Sequence, residues 1–194
     1  MAIEAKALQH MLGVKEDGIL GPGTWTAFFQ KLGAMTDRAQ ELGVAAAQWF
    51  ADYGLLDRPL RLAHFAAQLC HESGSFRYME EIASGAAYEG RSDLGNVQPG
   101  DGVRYKGRGP IQITGRANYR YFGRKIGIDL ERHPQLAAFP SIGLHLALEY
   151  WRDRNLNTLA DADDIVGITK KINGGTNGLD DRKAHLSKIK GWLK

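Results

Sequence analysis

The chain has 194 residues, 43% hydrophobic, 24% charged and 9% aromatic, with a net charge of +3. That supports one good-sized domain, with or without a small appendage, whose core can hold a shaped cleft. The lone Cys70 excludes an intrachain disulfide and a four-cysteine zinc site, and suits folding in a reducing compartment. No apolar stretch approaches the roughly 20 residues that span a bilayer, and the start, Met1-Ala2-Ile3-Glu4-Ala5-Lys6, does not read as a secretory signal.

In chain order, Ala7 to Gly13 predicts a short helix and Asp17-Gly18 a turn. Thr24 is expected to N-cap a second helix with Trp25, Phe28, Phe29 and Leu32 on its apolar face and Gly33 as its stop. Thr36 is expected to cap a helix with Ala39, Leu42, Ala46, Trp49, Phe50 and Tyr53 on one face, ending at Gly54. Asp57-Arg58-Pro59 opens the next, with Leu62, Phe65, Ala66 and Leu69 as its buried stripe and Gly74 as its stop. From Ser75 to about Arg104 the pattern loosens into a glycine-rich segment too long for a plain connection, the kind that carries function. Strand-like alternation closes the run that ends at Thr114. Helices are then expected at about 117–126, 141–152 and 161–172, the third ended by Asn173-Gly174-Gly175, with a last one from Asp181. The fold class is α+β, mostly α-helical, with a small β element.

Charge is uneven. From Gly167 onward Lys170, Lys171, Arg182, Lys183, Lys188, Lys190 and Lys194 face only Asp180 and Asp181. Such a tail suits weak contact with an anionic wall or membrane surface, or is a solvated helix face. Aromatic and basic residues are not interleaved along one face, so nucleic acid is not an expected partner.

Glu72 lies in Cys70-His71-Glu72-Ser73-Gly74, the last turn of a strongly apolar helix. A carboxylate there faces the negative end of the helix dipole, and partial burial acts the same way, so both effects favour the neutral form that a general acid needs. Glycoside hydrolysis also needs a second carboxylate. In an inverting enzyme it stands roughly 6.5–9.5 Å from the first, leaving room for a water. Glu80, Glu81, Glu89, Asp93 and Asp101 follow in the loop, and spacing alone does not choose among them.

His71-Glu72-Ser73-Gly74, Tyr88-Glu89-Gly90-Arg91, Asp93-Leu94-Gly95-Asn96, Gln98-Pro99-Gly100-Asp101-Gly102, the run from Tyr105 to Tyr119 and Asn173-Gly174-Gly175 occur in order. Together they resemble the family 19 chitinase-like endolysins of bacteriophages, over roughly residues 40–194. The resemblance implies a lysozyme-like fold with a deep cleft, and hydrolysis of the β-1,4 bond between N-acetylmuramic acid and N-acetylglucosamine in peptidoglycan. It implies a monomer, needing no metal or cofactor, that stays in the host cytoplasm until released to the wall.

Carried over by position, Glu72 matches the general acid, Glu81 the second carboxylate and Thr114 the hydroxyl that helps hold the attacking water. In the plant members the second acid lies nearer Glu89. Gln112, Asn118, Tyr119 and Asn173 match residues lining the sugar cleft, and Arg182 an arginine bracing the acid. Ser75 departs from the pattern, standing where a second glycine is common. The segment 1–33, with Leu8-Gln9, Asp17-Gly18-Ile19, Gly21-Pro22 and Thr24, resembles a shortened peptidoglycan-binding repeat. It is too small to be stable alone and is expected to dock on the catalytic domain, 34–194, as a wall-binding piece or a plain cap.

Two other classes compete. A cysteine peptidase would need an ionised Cys70, which a helix C-terminus opposes, so packing is the expected role of this thiol. A zinc amidase would need clustered histidines, but the six present are scattered, and His71 is expected to partner the acid. A chitinase or a non-catalytic wall-binding protein on the same fold also stays open.

Overall fold

Proline and glycine set the helix limits. Pro22, Pro59 and Pro140 each sit in a first turn, where the missing N–H costs nothing, and Gly33, Gly74, Gly127 and Gly174 close helices in the left-handed conformation. A computed structural model describes residues 2–193. Met1, and Lys194 of the basic tail, lie outside the described residues. The helices are α1 (Ala5–Leu12), α2 (Pro22–Leu32), α3 (Thr36–Trp49), α4 (Pro59–Ser73), α5 (Asp101–Arg104), α6 (Arg116–Ile126), α7 (Pro140–Asp153), α8 (Leu156–Asp161), α9 (Ile165–Asn173) and α10 (Leu179–Trp192).

The mostly helical α+β class holds, and the β element is small indeed. Among the described residues it is two isolated bridges, Glu80 with Arg108 and Arg108 with Ile113. Val103 and Arg104, at the head of the run that ends at Thr114 and ahead of its alternating part, are helical. Thr24 is not a cap: Pro22 starts α2 earlier, and Thr24 is buried inside it. Met35 rather than Thr36 caps α3, which ends at Trp49 before turns run on to Gly54. The helix expected over 161–172 begins only after Asp164, whose side chain accepts from the Gly167 amide at 2.8 Å, with α8 as a separate helix before it.

The centre of the molecule is α4. From Leu62 to Cys70 every residue is buried, so the expected stripe is in fact a helix enclosed on nearly all sides. Burial pushes the Cys70 thiol up to about 12, which leaves it a protonated packing group.

An aromatic chain crosses the core in edge-to-face contacts. Phe29 meets Phe76 at 5.2 Å, Phe50 meets Phe65 at 5.9 Å, and Phe65 meets Trp151 at 5.3 Å. Trp25, Phe28 and Phe29 of α2 are as buried as any residue of α4. The motif residues before α2 form one hydrogen-bond cluster. The buried Gln9 amide donates to Asp17 Oδ1 at 2.8 Å, Ile19 O at 3.0 Å and Thr24 Oγ1 at 3.1 Å, and its oxygen accepts from Gly18 N at 2.8 Å. Phe29→Ala is therefore expected to cost about 3–5 kcal/mol of global stability by urea unfolding. A single transition at unchanged midpoint would mean that α2 is detachable from the core.

Candidate active site

Glu72 ends α4 with 18% of its side chain exposed, and its Oε1 accepts from Arg182 Nη2 at 2.5 Å. Arg182, in the first turn of α10, is wholly buried. Its Nη1 donates to Gln68 Oε1, one turn back along α4. Around Glu72 a cation, the Arg182 that the resemblance implies, thus joins the helix end and burial. His71 is not a partner of the acid. Its Nδ1 lies 2.7 Å from Asp181 Oδ2, tying α4 to α10, and its ring lies over Gly178, where any side chain would overlap it. Sequence reasoning missed Gln68, hidden as one more helical residue, and Tyr150. Tyr150 on α7 donates to Ile172 O at 3.3 Å beside the end of α9. Burial raises its phenol, with Arg154 opposing and the nearby Glu72 charge adding to the rise.

After α4 the chain makes a left-handed turn through Gly74, Ser75 and Phe76, with φ of 57°, 59° and 63°. Ser75 thus occupies the conformation that a glycine would take freely. Ser73, missed by sequence, donates through Oγ to Leu69 O at 2.6 Å and accepts from Phe76 N at 2.7 Å. Arg38 of α3 donates to the carbonyls of Phe76 and Arg77. The turn delivers Glu80 and Glu81 to the segment around Gly107.

The structure sorts the acidic candidates by what holds them. Glu80 pairs with Arg108 at 3.0 Å and Lys106 at 3.2 Å. Asp93 pairs with Arg91 and Asp101 with Arg116. Glu89 accepts from Gly100 N at 2.6 Å and Gly102 N at 2.8 Å, so both oxygens fasten the loop. Glu81 meets neutral donors instead, Tyr88 Oη at 3.0 Å and Gly107 N at 3.1 Å. Above Gly107 three side-chain oxygens converge. From the point where a Cβ would stand, Gln112 Oε1 is 2.7 Å away, Glu81 Oε2 3.3 Å and Thr114 Oγ1 3.4 Å. Thr114 spends its one proton on Gln112 O at 2.9 Å, so its remaining lone pairs can accept from a water.

Gln112 is held in a left-handed conformation, φ 55°, with its amide donating to Gly109 O at 2.8 Å. Asn118 on α6 donates to Thr114 O at 2.8 Å, steadying the residue beside Glu81. Tyr119 is not a sugar platform. It is fully buried, donates to Lys106 O at 2.7 Å and accepts from Arg108 Nη1 at 2.9 Å. Burial pushes its phenol up to about 12. The residue fills the core because α6 turns this face inward, beside Tyr105 at 5.4 Å. Asn173 ends α9 and is exposed. Among the described residues no group of three or more His, Cys, Asp or Glu side chains could hold a metal ion, and no helix is long and apolar enough to cross a membrane.

The family model for glycoside hydrolase family 19, described as class I chitinase, matches residues 39–177. The chain belongs to glycoside hydrolase family 19. A family 19 domain-containing protein of Haemophilus influenzae is 30% identical over 154 residues, covering 63% of this chain and 75% of that protein. An endochitinase of Arabidopsis thaliana is 34% identical over 162 residues, 81% of this chain and 56% of the plant protein. The chain thus spans about half the length of that plant relative. Among solved structures, a mutant of chitinase C superposes with a TM-score of 0.71 at 21% identity, covering 92% of this chain and 95% of the other. The class IV family 19 chitinase of Zea mays gives 0.59 at 22%, covering 96% and 90%. At such identities these structures speak to the fold, which is the lysozyme-like fold of family 19.

The loop of this family 19 domain is pinned to α6 by charge. Arg116 grips Asp101 and reaches Glu131 at 3.1 Å, and Arg120 grips Glu131 at 2.6 Å. Arg120 foremost, with Arg116, holds the Glu131 carboxyl down to about 2 from its ordinary 4.5, against a burial that raises it. A depressed folded value means that this stabilisation is complete above about 4.5 and disappears as pH falls toward 2. Glu131→Gln should lower stability at pH 7 by about 1–3 kcal/mol after solvent screening. It should also flatten the fall in urea midpoint across that acid window; an unchanged acid slope would contradict the assignment.

Proposed function

We propose that the protein hydrolyses β-1,4 bonds between N-acetylated amino sugars in one inverting displacement, with peptidoglycan glycan strands as its substrate. The observation that carries the reading is the separate footing of two carboxylates: Glu72, in the last turn of α4 with only its Oε1 bonded among the described residues, and Glu81, held by neutral donors above Gly107 beside the Thr114 hydroxyl, whose lone pairs are open to a water. Glu72 protonates the leaving oxygen, and Arg182 stabilises the carboxylate that the departing proton leaves behind. A water donates one proton toward Glu81 and another toward Thr114 Oγ1, then attacks the anomeric carbon from the opposite face as Glu81 takes its proton. Gln112, Asn118 and Asn173 supply amides for N-acetyl and hydroxyl groups.

Peptidoglycan is favoured by the order of motifs shared with phage endolysins and by the resemblance of residues 1–33 to a wall-binding repeat. In this reading the enzyme works as a monomer released to the wall, and the lysines of α10 face its anionic polymers. Chitin is the second reading, supported by the plant relatives that are called endochitinases.

Glu72→Gln should keep the fold and lose at least about a hundredfold in kcat. Glu81→Gln should do the same, whereas Glu89→Gln should act through a loosened loop, with a lower melting temperature and a smaller loss of rate. Full activity in Glu81→Gln would move the base role elsewhere.

Mass spectrometry of digests separates the substrates. Reducing N-acetylmuramic acid ends from peptidoglycan support the first reading, and cleavage confined to chitin oligomers supports the second.

A further inference from the structure

His64, Gln68 and Glu72 stand four residues apart on α4 and so share one face of an almost fully enclosed helix. Arg182 meets that face from α10. A guanidinium has donors only, so the Gln68 oxygen must face it, which fixes the orientation of the amide. Gln68 Nε2 is then left buried with no partner among the described residues. One turn back, His64 Nε2 lies 2.8 Å from Asp163 Oδ1, whose other oxygen accepts from Lys190. Asp163 can only accept, so the His64 proton sits on Nε2 and its Nδ1 is an acceptor, also buried without a partner among the described residues. Burial, against the pull of Asp163, lowers the basicity of this imidazole.

An apolar side chain at position 68 would fill the core without an orphan donor. What the glutamine adds is control of the arginine. A free guanidinium tends to grip a carboxylate through two parallel bonds. Here Gln68 takes Nη1, Nη2 alone reaches Glu72, and it reaches only Oε1. No other hydrogen bond to the Glu72 carboxyl is made among the described residues, so Oε2 is free of the arginine. We propose that Gln68 is a positioning residue for the general acid: it restricts Arg182 to a single contact with Glu72 and leaves the second carboxyl oxygen available to carry and deliver the proton. The proposal rests on Glu72 being the general acid.

The test compares Gln68→Met, which removes the acceptor at similar volume, with Gln68→Glu, which strengthens it. Around the pair lie His64 and His71 on α4, Arg182, Asp181, His185 and Lys190 on α10, Tyr150 on α7 and Asp163 ahead of α9. All of these are unchanged between the two variants. In Gln68→Met, Arg182 turns both ends to Glu72. The expected result is a kcat reduced tenfold or more, KM unchanged within about twofold, and an alkaline limb of the kcat–pH profile moved down by roughly one unit. In Gln68→Glu a competing carboxylate draws Arg182 away, and the limb moves up. Opposite movements support the proposal. Equal losses with the limb unmoved, or failure of both variants to fold, would overturn it and make Gln68 a packing group. If Glu72→Gln keeps its activity, the general-acid reading itself has failed, which is a separate result.

Discussion

Arg182 is shut away from water and yet carries a charge that cannot be given up, so its surroundings must supply acceptors on every side it presents. Two of them come from α4, Gln68 and Glu72, and a third is the Asn177 carbonyl, at 3.5 Å, in the turn that leads into α10. Breaking such a pair leaves an uncompensated buried charge, which is costlier than never having built it. The packing of α10 against α4 is therefore locked to the position of the acid. The His71–Asp181 and Asp163–Lys190 pairs reinforce the same seam from its flanks.

The second half of the candidate site depends on a different support. Glu81 hangs from the turn after α4, and that turn is anchored by Phe76 packing on Phe29 of α2 and by Arg38 of α3 holding its carbonyls. Residues that resemble a wall-binding repeat are, in this molecule, part of the frame that aims a carboxylate. Gln9 explains why: its amide joins Asp17, Ile19 and Thr24 into one rigid lead-in, so α2 presents Phe29 at a fixed angle.

Much of the fold was legible because it is written in local chemistry. Pro59 and Gly74 bound α4, Gly33 bounds α2, and Gly174 bounds α9, each through a conformational preference that neighbours do not override. What was not legible depends on distant partners. Asn118 and Tyr119 are adjacent and both carry hydrogen-bonding groups, yet one borders the site and the other is core, because a single helix step of about 100° separates the two faces of α6. Among the acids, Glu80 and Glu81 are likewise neighbours, and only the placement of Arg108 and Lys106 gives the first a structural role and leaves the second to neutral donors. Gln68 gave no signal, since nothing in a helical pattern announces that a buried arginine will arrive from more than a hundred residues away.

The left-handed turn at 74–76 shows how the two carboxylates are kept in register. Serine and phenylalanine in this conformation each cost about 1–2 kcal/mol, so the turn persists only because its surroundings over-determine it. Phe76 is fully buried, its N–H is taken by Ser73 Oγ, its carbonyl by Arg38, and Ser75 N–H by Cys70 O at 2.7 Å. A segment with all three of its backbone N–H groups bonded and a ring sunk in the core has few ways to flex. The separation of Glu72, in the last turn of α4, from Glu81, above Gly107, is then set by covalent geometry and packing. For the inverting displacement proposed above, which must admit one water and no more, a stiff connection of this kind serves better than a loop that closes on its substrate.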